Sequence, residues 1–201
     1  MNSRATLQNW ILILWLNRPT LRPILHQVSN DSIQKLDFEI TLSGTYWGNR
    51  NPAFEILIND QIVIDSVIAA PPSKKGIPEQ DFMTAAQVLQ TLHTEKFSVD
   101  LAPGSHVLGI RLKNKLPTDT CGFNDDGTYT RDVLLNIEKV KIDSMDLENL
   151  IYEESIYELD SPAQINGTEL QMLERCVNLG FNGVYKLRFS IPFYIWLLER
   201  L

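Results

Sequence analysis

Residues 36–42, Leu-Asp-Phe-Glu-Ile-Thr-Leu, carry an apolar side chain at every second position. A β-strand turns successive side chains to opposite faces, so this spacing buries Leu36, Phe38, Ile40 and Leu42 on one side and leaves the other to solvent. Phe54, Ile56 and Ile58 repeat the pattern; Asn59-Asp60 follow, then Ile62 and Ile64, which predicts a hairpin around a two-residue turn. Phe97, Val99 and Leu101 precede Ala-Pro-Gly-Ser, and Leu108, Ile110 and Leu112 follow it, a second hairpin with a longer turn. Val133, Leu135 and Ile137 alternate before the phase flips to Val140 and Ile142. A flip of one residue marks a bulge or a strand that changes sheets. Antiparallel strands without βαβ alternation make the chain mainly β, an antiparallel β-sandwich of the jelly-roll kind.

The remaining segments bound the domains. At 201 residues the chain is long enough for one sandwich with arms. The sandwich is expected over 31–160, with an N-terminal arm at 1–30 and a C-terminal arm at 161–201, both ordered. Two insertions interrupt it: 69–95, with a short helix predicted from Pro78 to Leu92, and the polar loop 113–131. The arms hold two apolar runs, Trp10 to Leu16 and Ile191 to Leu198, whose exposure would cost more than a marginally stable domain can spare. At least one arm is therefore expected to pack on another copy or on a neighbouring protein, giving a homo-oligomer.

Charge and motif content exclude several functions. The net charge is −7 with no basic stripe, which argues against tracking a nucleic-acid backbone. The run from Trp10 to Leu16 is far shorter than the roughly 20 residues that cross a bilayer, and no small-x-small cleavage site follows it, so neither membrane nor signal peptide is expected. Cys121 and Cys176 permit one bridge and no disulfide framework. His26, His93 and His106 are scattered, and no nucleophile elbow, phosphate loop, dinucleotide fingerprint or glucanase Glu-x-Asp-x-x-Glu pattern occurs. No enzyme is expected.

The loop Thr118-Asp-Thr-Cys-Gly-Phe-Asn-Asp-Asp-Gly-Thr-Tyr-Thr-Arg-Asp132 supplies the candidate metal ligands Asp119, Asp125, Asp126 and Asp132, the hard oxygens Ca²⁺ prefers; Asp125 and Asp132 stand foremost. The same Asn-Asp-Asp-Gly reads equally well as a solvated turn. Tyr46, Trp47, Phe123 and Tyr129 are candidates for a sugar platform, because the apolar face of a pyranose packs on a ring. Trp47 also suits a cap on the sandwich core.

Three segments, Ala53-Phe-Glu-Ile-Leu-Ile-Asn-Asp-Gln-Ile-Val63, Phe97-Ser-Val-Asp-Leu-Ala-Pro-Gly-Ser-His106 and Asp132-Val-Leu-Leu-Asn-Ile-Glu-Lys-Val-Lys-Ile-Asp143, stand in an order that resembles the calcium-dependent xylan-binding carbohydrate modules, over roughly residues 36–148. The resemblance implies a β-sandwich whose oxygen-rich loop holds one Ca²⁺ that coordinates sugar hydroxyls. It maps the acidic residue opening the third segment onto Asp132 and an Asn-Asp pair onto Asn114 and Lys115, making Asn114 a candidate ligand-binding residue. Lys115 departs from the pattern, since an ammonium cannot ligate a cation, and Val133 and Leu134 replace an Arg-Asn pair. The resemblance thus implies a non-catalytic, carbohydrate-binding-module-like sandwich for a polysaccharide or cell-surface glycan. Apolar arms without a catalytic domain are, by analogy of architecture, more like a structural, decoration or adhesion component of a bacteriophage virion than a cell-wall enzyme module. A purely structural assembly protein without sugar binding is the alternative, and a glycan-active enzyme the third.

Overall fold

The computed structural model describes residues 32–45, 51–69, 92–119, 133–165 and 167–200. The expected N-terminal arm, most of the 69–95 insertion, and Tyr46, Trp47, Cys121, Phe123, Asp125, Asp126, Tyr129 and Asp132 lie outside them.

Strands β1 (Gln34–Gly44), β2 (Ala53–Ile58), β3 (Gln61–Val67), β4 (His93–Leu101), β5 (Gly104–Leu112), β6 (Leu135–Ile142), β7 (Met145–Asp146), β8 (Ser155–Ile165), β9 (Thr168–Glu174), β10 (Asn178–Leu179) and β11 (Gly183–Ile191) form two sheets. One runs β10-β6-β1-β4 with β7 on β6; the other runs β3-β2-β5-β11-β8-β9. Every pairing is antiparallel. This is the sandwich the alternation predicts: Leu36, Phe38, Ile40 and Leu42 from one sheet are buried with Phe54, Ile56, Leu108, Ile110 and Leu112 from the other. Among the described residues no helix is long and apolar enough to cross a membrane.

Local chemistry explains the connections. Asn59 and Asp60 take φ of 51° and 63°, left-handed values that match the twist of a two-residue hairpin. The Asn59 side chain accepts from the Val107 N–H at 3.0 Å and donates to His106 Nδ1 at 2.9 Å. His106 Nε2 faces the Ala102 carbonyl at 2.8 Å and therefore carries the proton. One imidazole thus ties the two hairpin turns together. The phase flip in β6 is a bulge: Thr41 faces Lys139 and Leu42 faces Ile137, so Glu138 is the extra residue. Its carboxylate accepts from Ser43 Oγ at 2.5 Å, which keeps the fully buried Ser43 hydroxyl satisfied.

The C-terminal region differs from the expected arm. Residues 161–200 supply the end of β8, all of β9, β10 and β11, and the helix α2 (Phe193–Leu198), which follows the short α1 (Leu150–Glu153) in chain order. Strand β11 sits inside the six-stranded sheet, bonded to β5 on one side and β8 on the other. In the run from Ile191 to Leu198, Ile191, Phe193, Trp196 and Leu197 are buried in the core of their own chain, and Tyr194, Ile195 and Leu198 are exposed. Most of the hydrophobic gain of that run is thus realised within the sandwich, and three of its apolar side chains are left at the surface.

Candidate functional site

Strand β8 leaves its partner near its middle. Glu158 faces Met172, but the next paired residue, Ala163, faces Leu170, so Leu159–Pro162 stand against Gln171 alone. Pro162 has no N–H to give a ladder, which suits it to a bulge. On the other side of β8 the ladder to β11 continues through the bulge, the Asp160 N–H donating to the Asn182 carbonyl at 3.0 Å. Its carboxylate is held by Arg111, whose Nη1 lies 3.0 and 3.2 Å from the two oxygens. Arg111 continues to Glu55 at 3.7 Å, and Lys113 joins Glu55 at 3.1 Å to Asp65 at 2.5 Å, so an ion-pair ladder across the outer face of the sheet pins the bulge. Asp65 and then Glu55 hold the Lys113 ammonium above its ordinary pKa.

The bulge opens a groove of about 680 Å³. Its apolar wall is made by Leu116, Pro117, Leu134, Pro162, Leu173 and Phe181, and its polar lining includes Ser161, Gln164, Asn178 and Asn182. The β10–β11 loop along one side is tightly fixed. Tyr157 Oη donates to the Phe181 carbonyl and accepts from the Phe181 N–H, and burial pushes this phenol well above its usual range. The Asn182 amide clasps the Lys115 backbone both ways, accepting from its N–H at 2.9 Å and donating to its carbonyl at 2.8 Å. Apolar walls with a few fixed polar groups are the usual make-up of a small-molecule or glycan seat.

Described residues that flank the candidate segments lie at or next to this groove. Thr45, the residue before Tyr46 and Trp47, donates its N–H to the Leu134 carbonyl at 3.1 Å and accepts from the Leu134 N–H on its hydroxyl at 2.9 Å. Leu134 lines the groove and follows the acidic loop; Leu116 and Pro117 line it just before that loop begins. Asp119 is buried at the end of a 3₁₀ turn, Pro117–Asp119, where its Oδ2 accepts from the Leu116 N–H at 2.7 Å. At least one of its oxygens therefore staples a turn. Asn114 accepts from the Ala53 N–H at 2.9 Å and donates to the Asn51 carbonyl at 2.8 Å, which joins the exit of β5 to the entry of β2. Its amide is committed to backbone. Asn114→Ala should accordingly lower stability by about 1–3 kcal/mol, read by urea denaturation, because both backbone groups lose their partner; an unchanged midpoint would contradict the staple.

Asp125, Asp126, Asp132, Tyr46, Trp47, Phe123 and Tyr129 lie outside the described residues. Among the described residues no three of His, Cys, Asp and Glu gather as a metal site. Cys176 is half-buried, donates to the Asn178 carbonyl at 3.2 Å, and has its thiol pKa pushed up by burial, the opposite of an activated nucleophile. Residues 160–164 and 178–182, which shape the groove, were not among the expected site residues; the one sequence signal for them is Pro162 within an otherwise strand-like run.

No protein-family model matches this sequence, and no curated protein matches it. Among solved structures the chain is similar to vCBM60 in complex with galactobiose, at a TM-score of 0.42 and 7% identity, covering 75% of this chain and 96% of that one. It is similar also to a selenomethionine form of vCBM60, from a study of circular permutation linking two families of calcium-dependent carbohydrate binding modules, at a TM-score of 0.41 and 6% identity, covering 76% and 89%.

Proposed function

We propose that the chain is a non-catalytic, carbohydrate-binding β-sandwich that meets a polysaccharide or cell-surface glycan at the end of the sandwich where the groove opens. One observation carries this: the residues flanking the acidic loop, Leu116, Pro117 and Leu134, line a single groove that combines an apolar wall with neutral amides, a hydroxyl and the charged Lys115 and Asp160, and Thr45, next to the sugar-platform candidates, is bonded to Leu134. A sugar presents the matching surfaces, an apolar ring face and a rim of hydroxyls that both donate and accept. The acidic loop adds Ca²⁺ as the ion to test, with Asp119, Asp125, Asp126 and Asp132 as its candidate oxygens.

The experiment is a glycan array probed in Ca²⁺ and again in excess chelator. Binding to a subset of polysaccharides is expected, reduced by Trp47→Ala or Tyr129→Ala, with Ca²⁺ raising the melting temperature by mass action and Asp132→Ala abolishing that response. Silence across the array would contradict the carbohydrate reading and favour a purely structural sandwich. Turnover of a printed glycan would contradict the non-catalytic part.

A further inference from the structure

Lys115 follows β5, just before the acidic loop, and packs against the β10–β11 loop that lines the groove. Its ammonium donates to the Gly180 carbonyl and lies 5.7 Å from the centroid of the Phe181 ring. Its backbone N–H and carbonyl are both taken by the Asn182 side chain, at 2.9 and 2.8 Å. One residue therefore contacts three consecutive members of the β10–β11 loop, Gly180, Phe181 and Asn182. The ammonium bond is charge-assisted, and the half-buried setting of Lys115 screens it less than a surface pair would be.

The contacts differ in what they can do. Tyr157 fixes the Phe181 backbone and the Asn182 clasp fixes the loop's end, so the fold of this region stands without the ammonium. What the ammonium adds is a hold on the Gly180 carbonyl and an attractive charge against the Phe181 ring. Among the described residues Phe181 is the aromatic side chain of the groove lining. Its orientation decides whether the apolar wall is presented to a ligand.

We infer that Lys115 is a positioning residue that presets the groove for its ligand, by tethering Gly180 and holding the Phe181 ring in place before binding. This rests on the reading that the groove seats a saccharide. Ordering the wall during folding removes that cost from the binding step, which is how preorganisation raises affinity without adding a contact. The tether is supplied by the chain itself, so this wall keeps its shape when divalent ions are removed.

The test compares the full native chain with Lys115→Met, which keeps the aliphatic stem and loses the charge, and with Lys115→Arg, whose guanidinium also donates to a carbonyl and stacks on a ring. Two readouts are taken: backbone amide and Phe181 ring NMR shifts without ligand, and affinity for the oligosaccharides that the native chain binds on the array, in Ca²⁺ and in chelator. Lys115→Met is expected to shift and broaden the Gly180–Asn182 amides and the Phe181 ring signals and to weaken saccharide binding about tenfold. Lys115→Arg should restore most of both, and the melting temperatures should stay close to native. Unchanged loop and ring signals in Lys115→Met, or native affinity in that variant, would overturn the inference. If the native chain binds no oligosaccharide the carbohydrate reading fails, and the unliganded spectra still decide what Lys115 does to the wall. Should Lys115→Met not fold, Lys115→Gln carries the same comparison.

Discussion

Gly183→Ala is expected to destabilise the chain by about 3 kcal/mol or more, at or above the upper end of what overpacking a core usually costs. Gly183 opens β11, where it faces Leu112 of β5 and Leu159 of β8. A methyl group there would lie 2.4 Å from the Glu158 carbonyl oxygen, 3.0 Å from Leu159 Cα and 3.1 Å from Tyr157 Cε2. The first two are backbone atoms of a hydrogen-bonded neighbour, so they cannot retreat as a flexible side chain would. Relief requires moving the ladder beside the β8 bulge, and with it the groove wall. Against a total stability typical of single domains, about 5–15 kcal/mol, such a loss shows plainly in a denaturant midpoint. A native midpoint in Gly183→Ala would mean that β8 and β11 do not approach as described.

Trp196→Ala carries the second large effect, an expected loss of about 3–5 kcal/mol. Trp196 is 3% exposed; its ring lies 5.7 Å from that of Phe193 and 6.4 Å from that of Phe189, while Arg200 sits over its face at 4.7 Å. Phe189 in turn meets Phe38 edge-on at 6.1 Å, and Phe38 stacks on Phe97 at 5.0 Å, so the helix is joined through aromatic contacts to the middle of both sheets. A helix that served only as an arm for a partner would behave otherwise: its truncation would change oligomeric state and leave the protomer's stability alone. Thermal and urea unfolding of Trp196→Ala, with light scattering on the same samples, separates the two. Loss of stability at unchanged mass is the expected result; native stability with altered mass would restore the interface expectation for this end.

The expected and observed C-termini differ for a reason that lies in the chain. Tyr185, Leu187, Phe189 and Ile191 alternate as strictly as Leu36 to Leu42, and all four are buried. The continuous apolar run after Pro192 masks that alternation, because unbroken hydrophobicity fits a buried helix or an interface arm equally well. What makes β11 a sandwich strand is its ladder to β5, across more than 70 residues of sequence, and no local signal specifies a partner at that distance. The Asn59-Asp60 turn and the Glu138 bulge were legible because each is decided by a few adjacent residues. The site was half legible. A likeness in sequence order made Asn114 a candidate ligand-binding residue and set Lys115 beside it; the structure commits Asn114 to Ala53 and Asn51 and turns Lys115 toward Gly180. The groove itself depends on where β8 leaves β9 and on what Asn182 reaches, which only the assembled sheet determines.

The central claim is that a saccharide sits in the groove at this end of the sandwich, and amide shift mapping tests it most directly. The full chain, uniformly ¹⁵N-labelled, is titrated with the oligosaccharide that binds most strongly on the array. Perturbations are expected to concentrate at Lys115–Asp119, Asp160–Gln164 and Asn178–Asn182, leaving the far turns at Asn59–Asp60 and Ala102–Gly104 unmoved. Saturable binding whose perturbations fall instead on those far turns or on the outer faces of the sheets would contradict the account.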